Sequence, residues 1–303
     1  MSSFRGPCIA AVLSLIMLAG CARGTADGSV ASGTEESASA TTGASPTSPT
    51  GRDAGGPVLQ VRQTGGFVTP AMHLSRLPLI SVYADGRVIT SAPETLEYPG
   101  PAMATLQVHR LEPAAVDALV AKAVDAGVRS GTDFGRPNVA DAPSTRFTVQ
   151  GPGGRQGVEV LALGEARSDD SQLTPAQNQA RTKLAGFLRE LTAVPDGLGA
   201  GQPYEPATVA AIARPFTADG DPAVSVPAAA PWPGPALPGE TLTEGFAGLS
   251  CVAVSGAGVQ KLLAAVRTAK ANTPWTSGGK KWTVTFRQML PEETGCDDLK
   301  AVR

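Results

Sequence analysis

The stretch that most restricts what this chain can fold into is residues 22–57, ARGTADGSVASGTEESASATTGASPTSPTGRDAGGP. Large apolar side chains are almost absent from it, and Gly, Ser, Thr, Ala and Pro dominate. Such a segment buries too little surface to offset the entropy of ordering it. It reads as a flexible tether with a root-mean-square span of roughly 30–35 Å. Its TTGASPTSPT part also has the composition of an O-glycosylated stretch. The folded body of the 303-residue chain must therefore come from residue 58 onward.

Ahead of the tether stand one basic residue, Arg5, and an uncharged run, CIAAVLSLIMLAG, that is followed by Cys21. The run is shorter than the roughly 20 residues a spanning helix needs. The layout is that of a secretory signal peptide. Leu18-Ala19-Gly20-Cys21 resembles the lipobox of bacterial lipoproteins. That resemblance implies a diacylglyceryl group on the Cys21 thiol and cleavage that makes Cys21 the new N-terminus, with a palmitate-type N-acyl chain completing the anchor. A single acyl chain binds a membrane marginally, whereas two or more hold stably. The expected location is the cell membrane, lipid-anchored, on its extracytoplasmic face.

Location then constrains the cysteines. Cys8 leaves with the signal peptide and Cys21 carries lipid, so Cys251 and Cys296 remain of the four. In an exported chain such a pair is most simply a disulfide. Closing a loop of about 46 residues contributes about 4 kcal/mol on the chain-entropy model. There is no C-x-x-C spacing to suggest redox catalysis.

The formal net charge is −2, which gives no electrostatic case for nucleic acid. Aromatics are 5%, so the core must rest on Ala, Val, Leu and Ile. Gly (35) and Pro (26) are abundant enough to require many loops.

Along the body, VLQVRQ alternates as a strand, and LPLISVYADGRVIT places Asp85-Gly86 between two apolar runs, a hairpin signal. LEPAAVDALVAKAVDAGV has helical spacing, with Pro113 in the first turn and Gly127 at the C-terminal end. TRFTVQGPGGRQGVEVLALG reads as two strands around a Pro-Gly-Gly turn. LTPAQNQARTKLAGFLRELTAV is a second helix, with Thr174 as cap, Pro175 at its first position and a stop before Pro195. A proline-rich excursion occupies residues 217–248. Beyond it come a strand (LSCVAVS), a helix (GAGVQKLLAAVRTAK) and a strand (KKWTVTFRQML). The expected fold class is α+β: antiparallel sheet with about three helices packed on one face, in one body or two similar lobes. The expected division is 1–20 signal peptide, 21–57 anchored linker, 58–198 N-terminal lobe, 199–248 Pro-rich connection and 249–303 C-terminal lobe closed by the disulfide.

Chemistry-bearing patterns are sparse. His73 and His109 are the two histidines, with no zinc-ligand spacing, so no metal and no cofactor is expected. Ser277-Gly278-Gly279-Lys280 matches S-x-x-K formally, but Gly-Gly before a strand reads as a turn. There is no G-x-S-x-G. Asp133 and Asp141 flank a long polar loop running to Ser144, the place to look for ligand contacts; the plain alternative is that Asp141 and Ser144 close turns. Trp275 follows a proline, where it could form a platform for a sugar or peptide or cover the core.

GGFVTPAMHLSRLPLISVYADGRVI, YPGPA and LPEETGC resemble a group of uncharacterised secreted lipoproteins of high-GC Gram-positive bacteria. Arg outnumbers Lys 18 to 7, which fits that source. The resemblance implies a location and supplies no catalytic residues. The leading expectation is a non-enzymatic binding module of the cell envelope, meeting a protein, peptide or glycan there. The alternatives are an envelope-acting hydrolase using the 133–145 carboxylates and a transporter-associated solute-binding lipoprotein.

Overall fold

A computed structural model describes residues 55–94, 96–151, 153–167, 170–218, 224–242 and 248–300. The expected signal peptide, Cys21 and the expected tether up to residue 54 lie outside the described residues. The described residues belong to one compact unit.

The first part of the body runs β1 (Leu59–Gly65), α1 (Pro70–Ser75), β2 (Ile80–Val82), β3 (Arg87–Ser91), β4 (Leu106–Arg110), α2 (Pro113–Asp125), β5 (Pro143–Gly151), β6 (Gly154–Leu161), α3 (Pro175–Ala193) and β7 (Gln202–Pro203). The remainder runs β8 (Thr208–Pro215), β9 (Ala230–Pro231), β10 (Glu240–Thr241), β11 (Ser250–Ser255), α4 (Ala257–Val266), β12 (Trp275–Ser277), β13 (Lys280–Gln288) and α5 (Cys296–Lys300). The strands make two sheets, ordered β6-β5-β1-β2-β3-β4-β7 and β10-β11-β8-β13-β12-β9. All neighbours are antiparallel except β9 and β12. The class is α+β, as the sequence pattern indicates.

Local chemistry places the elements. Pro175 opens α3, and Thr174 with Gln177 closes a reciprocal capping box. Helix α2 begins at Pro113 and its C-terminus is followed by Gly127 at φ 101°, a left-handed position that favours glycine. Gly86 lies at φ 87°, and a Cβ there would stand 2.2 Å from the Leu111 carbonyl oxygen, so the β2–β3 turn admits only glycine. Gly278 and Gly279 both have positive φ between β12 and β13, which makes Ser277–Lys280 a two-residue hairpin turn.

Alternation along β1 and β5 sends Leu59, Val61, Phe147 and Val149 to one face of the first sheet. Helices α2 and α3 cover that face with Val116, Leu119, Val120, Leu184, Phe187 and Leu191. The second sheet is covered on both faces. Val209, Ala211 and Ala213 pack toward α4 and the Trp275–Trp282–Phe286 cluster. Ala210 and Ile212 pack toward Leu74 of α1 and Leu299 of α5. Strand β8 is thus apolar on both sides, and its three alanines leave room for a layer above and below. The Cys251–Cys296 disulfide, with Cα atoms 6.0 Å apart, ties β11 to α5. The proline-rich excursion contributes β9 and β10 to opposite edges of the second sheet.

The outer face of the first sheet is covered over β2–β4 only. There Tyr83, Ile89 and Leu106 close around Leu290, from the chain leaving β13. Tyr204 donates its hydroxyl to the Met289 carbonyl oxygen at 2.7 Å, and Tyr83 donates to a Glu292 carboxylate oxygen at 2.7 Å. Over β1 the same face buries Gln60 and Thr64, while over β5 and β6 it is half-buried to exposed.

Candidate functional site

The open part of that face becomes the floor of a cleft of about 430 Å³. Strand register decides which side chains reach it. Gln60 pairs with Thr148 and Arg62 with Arg146 across β1–β5, while Arg146 pairs with Glu159 and Gln150 with Arg155 across β5–β6. Opposite residues in a ladder share a face. Gln60, Arg62, Arg146, Thr148 and Arg155 therefore line one wall. The facing wall is the segment after β13, which brings Glu292, Glu293 and Asp298.

Each group is held by short-range chemistry. Arg62 donates from Nε and Nη2 to the Gln60 amide oxygen at 3.2 and 2.9 Å. Gln60 donates in turn to Ser81 at 3.0 Å and to Glu292 at 3.4 Å. Arg146 meets Glu159 at 3.3 Å, and Glu159 also accepts from Thr64. Glu293 is committed to the fold: it pairs with the buried Arg287 at 2.8 Å and accepts the Leu290 backbone N–H at 2.8 Å. Asp298 accepts from the backbone of Thr294 and Gly295 and from the Thr294 hydroxyl. Burial works to raise the Asp298 carboxyl, yet those hydrogen bonds outweigh it and leave the group below the usual carboxylate range. Burial lowers the Arg62 guanidinium below its ordinary value, with Glu293 and Glu292 opposing and Arg287 and Arg146 pushing the same way.

This arrangement can bind. Guanidinium groups are fixed forks for planar oxyanions, and here they stand on a rigid sheet. A larger hollow of about 560 Å³ over β3 and β4 is lined instead by Thr90, Gln107, His109 and Asp196. His109 is buried there with Nδ1 unpartnered, under Gly201, where a Cβ would come within 2.7 Å of Nε2.

The four residues that the sequence offered as ligand contacts lie apart from this cleft or at its margin. Asp133 is exposed, and its carboxylate accepts from Gly135 N and Gln177 Nε2, each at 2.8 Å. Those two bonds hold its carboxyl below the usual value and tie the loop to the start of α3. Asp141 is exposed at φ 57°, in a turn before β5. Ser144 pairs with Thr64 and shares the open face of β5 with Arg146 and Thr148. Trp275 is 1% exposed and packs edge-on against Trp232 and Phe286, within the core. Among the described residues no cluster of three or more His, Cys, Asp or Glu could hold a metal ion.

Sequence reasoning missed Arg62, Arg146, Arg155 and Glu292. The signal for the arginines lay in the polar positions of VLQVRQT, TRFTVQ and GRQGVEV, which alternate with the core residues. No family model, curated protein or solved structure matches the chain.

Proposed function

We propose that this chain is an extracytoplasmic lipoprotein, anchored through Cys21, whose body is a binding module of the cell envelope acting through the arginine-lined cleft. The observation that carries the reading is the cleft wall itself. Arg62, Arg146 and Arg155 line one face from neighbouring strands, and of the carboxylates opposite, Glu293 and Asp298 are engaged locally while Glu292 accepts only from uncharged groups. Pre-set donors around a hollow of small-molecule size are the usual furniture of a recognition site. The Cys251–Cys296 disulfide is the covalent chemistry of an oxidising compartment and supports the location. The tether then lets the cleft sample the space next to the membrane.

Two measurements test this. Radiolabelled palmitate should enter the wild-type chain and leave Cys21→Ser unlabelled, with the variant lost from the membrane fraction. An envelope extract should yield a ligand retained by the wild-type body and released by Arg62→Ala with Arg155→Ala. Equal retention by the double variant would remove the cleft from the account.

A further inference from the structure

The cleft is polar in a directional sense. Its sheet wall is cationic and its opposite wall is anionic. Several of these charges cancel within the fold. Glu293 pairs with Arg287, and Glu159 pairs with Arg146. Others do not cancel. Arg62 donates to the Gln60 amide, an uncharged partner. Glu292 accepts from the Tyr83 hydroxyl and the Gln60 amide, again uncharged partners. Arg155 is exposed at the cleft rim, and among the described residues it enters no ion pair. Charge of both signs therefore faces one space of about 430 Å³, and Arg62 and Glu292 feel each other's charge across it without closing a direct ion pair.

A ligand carrying a single sign of charge would satisfy one wall and meet its own sign on the other. A ligand with both signs satisfies the two walls together. Resting on the binding-module reading, we infer that the cleft takes a zwitterionic ligand, an amino acid or short peptide, whose carboxylate lies against Arg62 and Arg155 and whose ammonium lies toward Glu292. The fork of a guanidinium matches a carboxylate's two oxygens, while an ammonium needs only a point acceptor. The volume suits a few residues of peptide rather than a folded partner.

Titration calorimetry on the full chain in detergent tests this with four probes: trialanine, N-acetyl-trialanine, trialanine amide and citrate. Free trialanine should bind, and capping either end should weaken it by about tenfold or more, since each cap removes a charge-assisted contact. Arg62→Ala should weaken free trialanine and abolish its advantage over the amide. Glu292→Gln, nearly isosteric, should erase the advantage of the free over the acetylated N-terminus. Equal binding of capped and uncapped peptides would overturn the inference. Citrate binding with all peptides silent would overturn it too, yet leave the binding-module reading standing. Silence of all four probes would overturn the inference, and retention of an envelope ligand by the wild-type body would then decide the binding-module reading by itself.

Discussion

Arg62 and Arg146 stand directly opposite each other in the β1–β5 ladder, on the face that looks into the cleft. Like charges in that position destabilise an antiparallel pair. Glu159 relieves Arg146, and the Gln60 amide takes up two donors of Arg62 without neutralising it. On the proposed reading this face serves a ligand rather than stability. Arg62→Gln should leave the unfolding free energy unchanged or raise it by about 0.5 kcal/mol, while weakening the ligand. Urea denaturation measures this. A loss above about 1 kcal/mol would mean that Arg62 is there to hold the sheet.

The joint between the two sheets rests on Leu290, 2% exposed among Tyr83, Ile89 and Leu106. Truncating a buried leucine removes transfer energy and leaves a cavity, so Leu290→Ala should cost about 2–5 kcal/mol. Because Glu292 follows Leu290 by two positions, the same variant should also loosen the acidic wall and weaken the ligand. An unchanged denaturation midpoint would show that the joint contributes little.

The disulfide closes the chain from β11 to α5, and that loop includes the whole acidic wall apart from Asp298. Cys251→Ser with Cys296→Ser should lower stability by about 2–4 kcal/mol. Both residues sit in the layer with Leu74 and Leu299, so exchange protection should fall first in α5. Loss of protection confined to β9 or the α3 region would contradict this coupling.

Alkaline pH should act on the same joint. Burial pushes the Tyr204 hydroxyl up to about 12, with Glu292 and Glu293 acting in the same direction. Tyr83 is raised by burial first and then by Glu292, which accepts its hydrogen bond. An unfolded chain releases phenol protons near pH about 10, whereas the folded chain keeps them. The native state then binds more protons than the unfolded state, so the slope of stability against pH is negative. The contribution is complete below about pH 10 and is lost as pH rises toward about 12. Tyr204→Phe should flatten that decline relative to wild type. Parallel profiles would show that Tyr204 titrates alike in both states.

Much of the fold was legible because its signals are local. The caps of α2 and α3, the Asp85-Gly86 turn and the Gly278-Gly279 turn each depend on a few adjacent residues. Helix α1 was not legible. It has six residues, its Met72 is 55% exposed, and only Leu74, with half-buried Ala71 beside it, packs it against the second sheet. Strand β4, with five residues, is shorter still and owes its place to β3. The cleft was the least legible feature. It needs Arg62, Arg146 and Glu292 brought together by strand register and by a chain crossing from one sheet to the other. No local pattern encodes that. Trp275 reads as a loop aromatic from its preceding proline, but a parallel contact with β9 buries it.

The most direct measurement is backbone amide shift mapping on the isotope-labelled chain during a trialanine titration. The account places the largest shifts at Gln60–Arg62, at Arg146–Thr148 and around Glu292, all with one dissociation constant and all weakened by added salt. Shifts gathered around His109 and Asp196, or in the 133–144 loop, with the arginine face silent, would contradict it.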